Sequence, residues 1–145
     1  MALERIERLT DAQVEDLCRL YSGEWWCRAR TPDGVRKMLE HTDLVVALAE
    51  TGTGRLVAFS RVLTDRTYKA LIFDVIVDAA HRGEGLGRLL MDAIFTHPLL
   101  STVESFELYC LPERVPFYRK WGFTDELGDL RFMRASRAGA ERGRP

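Results

Sequence analysis

The segment 71–90, LIFDVIVDAAHRGEGLGRLL, constrains the fold more than any other part of this 145-residue chain. It begins with the apolar, β-branched run 71–77, which predicts a buried strand. A basic, glycine-rich turn follows at 82–88, and apolar residues then recur at helical spacing over 86–94. A strand, a glycine turn and a helix in this order present backbone N–H groups and a helix N-terminus to an anion. The segment therefore predicts a seat for the phosphates of a nucleotide-containing cofactor.

The glycine spacing excludes two common phosphate-binding motifs. A Walker P-loop ends in Gly-Lys-Ser/Thr, whereas Gly87 is followed by Arg88 and Leu89. A dinucleotide-binding fingerprint needs G-x-G-x-x-G, but neither the pair Gly83 and Gly85 nor the pair Gly85 and Gly87 is followed by a glycine at the third position. The spacing that is present is R-x-x-G-x-G.

These residues resemble the GCN5-related N-acetyltransferase (GNAT) family. The segment VDAAHRGEGLGRLLM at 77–91 is similar to the acetyl-coenzyme A motif R/Q-x-x-G-x-G/A of that family, and FYRKWGF at 117–123 resembles its C-terminal F-Y-x-x-x-G-F signature. The resemblance implies a mixed α/β protein with the GNAT-like acyl-CoA N-acyltransferase fold. We therefore expect a mostly antiparallel central sheet of about six to seven strands, with one βαβ crossover at the cofactor and helices on both faces.

The local patterns predict the elements of such a fold. Thr10 and Gln13 form a capping box that starts one helix, and Thr31 followed by Pro32 starts a second. The remaining predictions are a first strand at 3–9, a hairpin of strands 44–49 and 56–63, a strand at 103–110, a short helix at 112–121, and one or two closing strands at 123 and 130–133. We expect one domain over 1–135 and a disordered tail over 136–145.

Composition and charge exclude several classes of function. A formal net charge of −1 gives no general attraction to nucleic acid or to an anionic membrane. No apolar run approaches the ~20 residues of a membrane helix. The three cysteines form no C-x-x-C pair, which favours a reduced, cytoplasmic protein, and the three histidines lack the spacing of metal ligands, so we expect no metal.

The resemblance implies that the cofactor is acetyl-coenzyme A. Backbone N–H groups of the turn can converge on its pyrophosphate only where side chains are absent, and Glu84 must then point to solvent. In the family, the central strand separates from its neighbour and offers backbone N–H groups to the acetyl carbonyl and the pantetheine. The alternative is a glycine-rich connection that serves packing alone. The cofactor-binding residues expected are Val75, Ile76, Val77, Arg82, Gly83, Glu84, Gly85, Leu86, Gly87 and Arg88.

Tyr118 corresponds by position in the second signature to the family's general acid, which protonates the departing thiolate. A phenol with a pKa of about 10 can protonate a thiolate whose conjugate acid has a pKa of about 8.5 only when it is well placed. The alternative is a tyrosine that packs against the helix after the glycine turn.

Asp74 is the candidate catalytic base, because it is the only carboxylate inside the apolar run 71–77. A lone carboxylate is costly to bury unpaired, so it either faces the acceptor, as a base or an ammonium binder, or forms a structural ion pair, for example with Arg61. Strict alternation predicts Phe73, Val75 and Val77 on one face of the strand, and Ile72, Asp74 and Ile76 on the other.

Trp25, Trp26 and Arg30 lie where the acceptor-site helices of the family meet. Adjacent tryptophans cannot both point inward on a regular element, so we expect at least one to be exposed as an acceptor wall, with plain packing as the alternative. Three scattered acidic residues would suit a cationic amine: Glu24, Asp65 and Asp74.

The function implied by the resemblance is an acetyl-coenzyme A-dependent N-acetyltransferase. It would move an acetyl group to a primary amine, that of a small molecule, by direct attack in a ternary complex. The alternative is a non-catalytic module that senses acetyl-coenzyme A or another ligand. The sequence does not identify the amine, and it does not exclude an acyl group other than acetyl. Homodimers are common in the family, but no residue pattern of this chain decides whether it forms one.

Overall fold

The structure is a computed structural model that describes residues 2–27 and 29–137. The chain divides into a first unit that ends at Cys110 and a second unit that begins at Leu111. The single domain expected over 1–135 therefore stays a prediction. Most of the tail expected to be disordered, 136–145, lies outside the described residues.

The first unit contains one sheet with strand order β1-β2-β3-β4-β5. The first three strand pairs are antiparallel, and β4 and β5 are parallel and joined through helix α3. This topology confirms the mostly antiparallel sheet with a βαβ crossover. The expected six to seven strands were too many, since the sheet has five. The strands are β1 (Leu3–Ile6), β2 (Leu44–Glu50), β3 (Leu56–Thr64), β4 (Lys69–Val77) and β5 (Ser105–Glu107).

Three helices accompany this sheet: α1 (Asp11–Ser22), α2 (Pro32–Glu40) and α3 (Leu86–Phe95). The predicted capping box of α1 is present, because the Thr10 hydroxyl accepts from the Gln13 N–H and the Gln13 side chain accepts from the Thr10 N–H. Thr31 caps α2 in the predicted way. These local patterns therefore fix where both helices begin.

The core lies on both faces of the sheet. Buried residues of α1 and α2 form a cluster with Val45, Ala47 and other inward-facing residues of β2 to β4. The alternate residues Val46 and Leu48 are also buried, and α3 packs against β2, β3 and β4. Because side chains of a strand alternate between the two faces, helices cover the sheet on both sides, as predicted.

The second unit consists of short helical turns and irregular chain. The helix predicted at 112–121 is divided into a 3-10 turn at Pro112–Arg114, helix α4 at Val115–Tyr118 and a second 3-10 turn at Arg119–Trp121. The closing strands predicted at 123 and 130–133 were wrong, since no strand follows β5 in the described residues up to 137. An apolar run becomes a strand only where a neighbouring strand accepts its backbone hydrogen bonds. For the same reason the strand predicted at 103–110 is reduced to β5.

Candidate active site

Two glycines of the glycine turn, residues 82–88, have a left-handed backbone conformation. Gly83 and Gly85 have φ values of +84° and +81°, which side-chain-bearing residues rarely adopt. A Cβ atom added at either glycine would meet no described atom within 4 Å. The turn therefore leaves open space directly above its backbone, which a phosphate can occupy.

Several N–H groups of the glycine turn have no acceptor among the residues that the structure describes. Gly85 is the N-cap of α3 and makes no side-chain capping hydrogen bond. The N–H groups of Gly83, Glu84 and Gly85 donate to none of the described residues. Those of the first helical turn have no intrahelical acceptor by construction. A set of converging donors at a helix N-terminus matches the needs of a pyrophosphate, so the turn fits coenzyme A.

The charged side chains of the turn have partners on the protein. Arg82 donates through Nε to the Val77 carbonyl over 3.2 Å, and its Nη2 lies 3.3 Å from Oε1 of Glu24. Arg88 lies one turn from Asp92, with 3.8 Å between Nε and Oδ2. Glu84 is exposed, as a phosphate seat requires. Arg82 thus ties the end of β4 to the segment that follows α1.

Strand β4 has one unpaired edge beyond its first residues. Its parallel pairing with β5 covers only Lys69, Ala70 and Leu71. After Leu71, none of the described strands pairs with this edge. The separation of the central strand from its neighbour is the arrangement that the family resemblance implied.

The backbone groups that face this open edge follow from the register. The Asp78 N–H donates to the Val57 carbonyl over 2.8 Å, so position 78 is hydrogen-bonded to β3. Because such pairs alternate along an antiparallel strand, the backbone of Ile76 also faces β3, and the backbones of Val75 and Val77 face the open edge. Two of the three predicted strand positions, Val75 and Val77, therefore offer N–H groups at the open edge of β4.

A β-bulge at Asp74 interrupts β4. Phe59 pairs with Ile76 and Arg61 pairs with Phe73, so three steps along β4 match two steps along β3. Asp74 is the extra residue of the bulge, and its φ is +56°. Since Phe59 and Arg61 lie on one face of β3, Phe73 and Ile76 also share a face. The strict alternation predicted for 72–77 was therefore wrong, because it placed these two residues on opposite faces.

Four residues from separate segments form a charge cluster around Asp74. Oδ2 of Asp74 accepts hydrogen bonds from the Tyr21 hydroxyl over 2.8 Å, from Nη1 of Arg30 over 2.8 Å and from Nε of Arg61 over 2.7 Å. The Asp74 side chain is only 5% exposed. The ion pair with Arg61 is the structural alternative that the sequence had left open. Arg30 was unexpected as its second partner.

Rings surround the guanidinium groups of this cluster. Cζ of Arg30 lies 4.6 Å from the centre of the Tyr21 ring and 5.6 Å from that of Trp26. Arg61 lies over the ring of Phe73 at 5.0 Å. Stacking of this kind fixes the planes of both guanidinium groups.

The cluster keeps Asp74 ionised. Burial alone would raise the pKa of its carboxyl group, but the hydrogen bonds from Arg61 and Arg30 outweigh burial and lower the pKa below its ordinary value. Burial, followed by the neighbouring Asp74 charge, raises the pKa of the Tyr21 phenol, which therefore stays protonated as a donor. A carboxylate with a lowered pKa is a weak base near neutral pH. The role of Asp74 as catalytic base stays a prediction that this electrostatic setting does not favour.

Two adjoining depressions lie beside the charge cluster. The first, of about 390 Å³, is lined by Trp25, Trp26, Cys27, Ala29 and Arg30. The second, of about 420 Å³, we call the arginine groove; it is lined by Ala29, Arg30, Thr31, Gly34, Val35, Met38 and Arg61. Trp25 is 59% exposed and Trp26 is 41% exposed, so both rings form an open wall. The structure thus brings the predicted acceptor residues together.

The three acidic residues considered for a cationic amine are all engaged elsewhere. Glu24 pairs with Arg82, and Asp74 is held by two arginines. Oδ1 of Asp65 accepts from the backbone N–H groups of a turn at 67–69. They form no anionic surface at the depressions.

Sequence reasoning missed two side chains that build the site. Tyr21 lies on α1 and Met38 on α2, and neither was among the site residues expected from the sequence. A buried tyrosine hydroxyl needs a hydrogen-bond partner, and this need is the one signal that the sequence gives for Tyr21. The signal does not identify the partner. Cys27, also at the site, is inert because burial raises the pKa of its thiol to about 11.

Tyr118 lies in the second unit, at the last position of α4. Its ring contacts Phe117 and Phe123 edge to face, with ring centres 5.0 Å and 6.1 Å apart. Its role as general acid stays a prediction.

The described residues contain no group of three or more metal-ligating side chains, and none of the described helices is long and apolar enough to cross a membrane.

Comparison with known proteins agrees with this geometry. A family profile described as an acetyltransferase (GNAT) domain matches residues 40–125. Serotonin N-acetyltransferase 2, chloroplastic, from Oryza sativa subsp. japonica is 34% identical over 106 residues, which cover 72% of this chain and 53% of that protein. Glucosamine 6-phosphate N-acetyltransferase 1 from the same organism is 34% identical over 89 residues, or 57% of this chain and 54% of that protein. The chain therefore spans about half the length of these two relatives.

A solved structure extends the similarity to most of the chain. A crystal structure of a protein assigned to the GNAT family from Xanthomonas campestris pv. campestris superimposes with a TM-score of 0.75 and 28% identity. The match covers 88% of this chain and 87% of that one.

Proposed function

Because this chain belongs to the GNAT acetyltransferase family, we propose that it is an N-acetyltransferase that moves the acetyl group of acetyl-coenzyme A to a primary amine of a small molecule. The observation that carries the proposal is the glycine turn, whose unpaired N–H groups follow a strand with one open edge. The pyrophosphate of acetyl-coenzyme A would bind the N–H groups of the turn, and its thioester would bind the N–H groups at the open edge of the strand. The amine would attack directly, with both substrates bound.

The residues that would hold the cofactor belong to β4 and the glycine turn. Acetyl-coenzyme A, when bound, supplies the activated acetyl group and the pyrophosphate by which it is recognised. The N–H groups of 83–87 would bind the pyrophosphate, and Arg82 and Arg88 would add positive charge beside it. The N–H groups of Val75 and Val77 point to the open edge, where a donor to a developing oxyanion typically contributes about 3 kcal/mol to catalysis.

The two predicted catalytic residues receive different roles in this proposal. Tyr118 would donate the proton that the departing thiolate needs. Asp74 would act as a positioning residue, because its carboxylate holds Arg30 and Arg61 in place and is a weak base. The cytoplasmic location, the homodimer and the use of acetyl rather than another acyl group stay predictions; relatives of the chain include chloroplastic proteins.

The test of this function is release of free thiol from acetyl-coenzyme A in the presence of a panel of primary amines. We expect release that depends on the amine, together with an acetylated product detected by mass spectrometry. Tight binding of coenzyme A with no release on any amine would instead favour the sensing module. Thermal stabilisation by NAD or ATP, but not by coenzyme A, would refute the assignment.

The substitution Tyr118→Phe tests the general acid. Removing the proton donor should lower kcat by about 100-fold, the usual scale of general acid catalysis, while the Kd for coenzyme A stays nearly the same. The matched control is Tyr68→Phe, since Tyr68 is an exposed tyrosine of the loop before β4. If kcat of Tyr118→Phe equals that of the control, Tyr118 is not the acid.

A further inference from the structure

The arginine groove carries positive charge that the described residues do not neutralise. Two of its lining residues are arginines, and none of the described lining residues is acidic. Both guanidinium groups share one carboxylate, that of Asp74, so the charge cluster keeps a net charge of +1, from two cations and one anion. The nearby carboxylate of Asp33 is fully exposed and lies 3.6 Å from Arg36 instead.

The two guanidinium groups also keep hydrogen-bond donors to spare. Arg30 uses Nη1 for Asp74 and Met38, and Arg61 uses Nε for Asp74. Nε and Nη2 of Arg30 and both terminal nitrogens of Arg61 donate to none of the described residues. A guanidinium group has five N–H donors in a planar fork, which suits a carboxylate or a phosphate.

One strand, β4, separates the groove residue Arg61 from the open edge where acetyl transfer would occur, a distance of about 5 Å from strand to strand. Arg61 reaches the groove from β3, and Arg61 is bonded to Asp74 at the bulge of β4. The residue after Asp74 is Val75, whose backbone faces the open edge of that strand. A molecule lying in the groove can therefore extend its amine toward the open edge while its other end meets the arginines.

We propose that the acceptor is a primary amine that also carries an anionic group, a carboxylate or a phosphate, bound by Arg30 and Arg61 in the arginine groove. This inference rests on the proposed acetyltransferase function. It replaces the cationic amine considered from the sequence, because the acidic residues on which that idea depended are engaged by other groups. Met38 and the exposed Trp26 ring supply apolar contacts for the part of the molecule between amine and anion.

The experiment compares amines that differ in one charged group. The first set is pentylamine, δ-aminovalerate and cadaverine, which are neutral, anionic and cationic at the far end. The second is glucosamine and glucosamine 6-phosphate, which tests phosphate in place of carboxylate. We expect kcat/KM for the anionic member of at least one set to exceed that of its neutral partner about tenfold or more, with cadaverine lowest. Added salt should narrow this ratio, because it screens the partly exposed arginines.

Variants assign the preference to the groove. Arg30→Gln should bring the anionic-to-neutral ratio of kcat/KM close to one, and Arg30→Lys should retain only part of it, since a lysine keeps the charge but loses the fork. Arg36→Gln is the matched control: Arg36 lies on α2, does not line the groove and should leave the ratio unchanged. Thermal melting of each variant checks that folding is intact.

Each outcome separates this inference from the proposed function. Thiol release with equal or higher kcat/KM for the neutral and cationic amines, or a ratio unaffected by Arg30→Gln, would overturn the anionic acceptor and leave the acetyltransferase intact. If no amine causes release, the proposed function fails, and equilibrium binding decides the groove. Tighter binding of δ-aminovalerate or glucosamine 6-phosphate than of the neutral partner, lost in Arg30→Gln, supports the groove; equal binding refutes it.

Discussion

Asp74, at the centre of the charge cluster, lies within fifteen residues of the glycine turn along the chain, and the two regions use their hydrogen-bond donors in opposite ways. In the charge cluster, three donors from α1, the connection before α2, and β3 converge on one buried oxygen of Asp74. In the glycine turn, the N–H groups of 83–85 find no acceptor among the described residues. Donors paired inside the protein stabilise its fold, whereas exposed unpaired donors are available to a ligand.

The same contrast holds for the backbone. Both regions use the left-handed conformation, with φ of +56° at Asp74 and +81° at Gly85. Glycine adopts it without strain, so the turn needs no further support. At Asp74 the side chain makes this conformation less favourable, and the hydrogen bonds to two arginines and a tyrosine hold it. The bulge therefore depends on the cluster, and the turn is independent of it.

The largest effect is expected from Gly85→Glu, which tests the donors of the turn. The added carboxylate occupies the space above the backbone and repels a pyrophosphate there. We expect the Kd for coenzyme A to rise by about 100-fold or more, as for the loss of two charge-assisted hydrogen bonds. Isothermal titration calorimetry measures it.

Two control variants separate charge from strain in that experiment. Gly85→Ala introduces a side chain at the same φ without a charge, and Gly52→Glu adds the same charge in the turn between β2 and β3, where a Cβ meets no described atom within 4 Å. We expect weaker loss of binding in the first and none in the second. Unchanged affinity of Gly85→Glu for coenzyme A would show that the pyrophosphate does not bind at this turn.

The substitution Asp74→Asn tests the charge cluster. It leaves two guanidinium groups and a buried phenol without their common anion, so the free energy of unfolding should fall by about 3 kcal/mol. Urea denaturation at pH 7 measures it, with Asp33→Asn as an exposed control that leaves the midpoint unchanged. Wild-type stability for the variant would mean that the cluster does not hold the bulge.

The stability difference between wild type and Asp74→Asn should also depend on pH, and the pKa of Asp74 gives the sign of that dependence. The pKa of Asp74 is lower in the folded protein than in the unfolded chain, so its contribution is complete above the unfolded value of about 3.9 and is lost as the pH falls below it. The stability difference between wild type and Asp74→Asn should therefore shrink on acidification from pH 5 toward pH 3. A difference that stays constant would show that the charge of Asp74 is not the cause.

The smallest effect is expected from Tyr21→Phe, which removes one donor and keeps the buried ring. Loss of one hydrogen bond to a carboxylate should lower the free energy of unfolding by about 2 kcal/mol. Tyr68→Phe, at an exposed tyrosine, is the control for urea denaturation. If the two variants are equally stable, the arginines alone hold Asp74.

Prediction from sequence succeeded wherever neighbouring residues decide the structure. The capping box at Thr10 and the N-cap at Thr31 depend on residues at most a few positions apart. It failed where distant segments must meet. The strand predicted at 130–133 is absent because no described strand pairs with it, and strict alternation in β4 could not reveal a bulge.

The sequence by itself indicated the family through its motifs, and it determined the strand, the glycine turn and the helix of 71–90 because these depend on neighbouring residues. Only the tertiary structure decided which side chains pair with Asp74 and which residues line the arginine groove. Tyr21, Arg30, Arg61 and Asp74 are separated by up to 53 residues along the chain, and the folding of the sheet brings them to a single oxygen atom. The charge of Asp74, which looks available in the sequence, is thereby paired, and two arginines line the groove proposed for the acceptor.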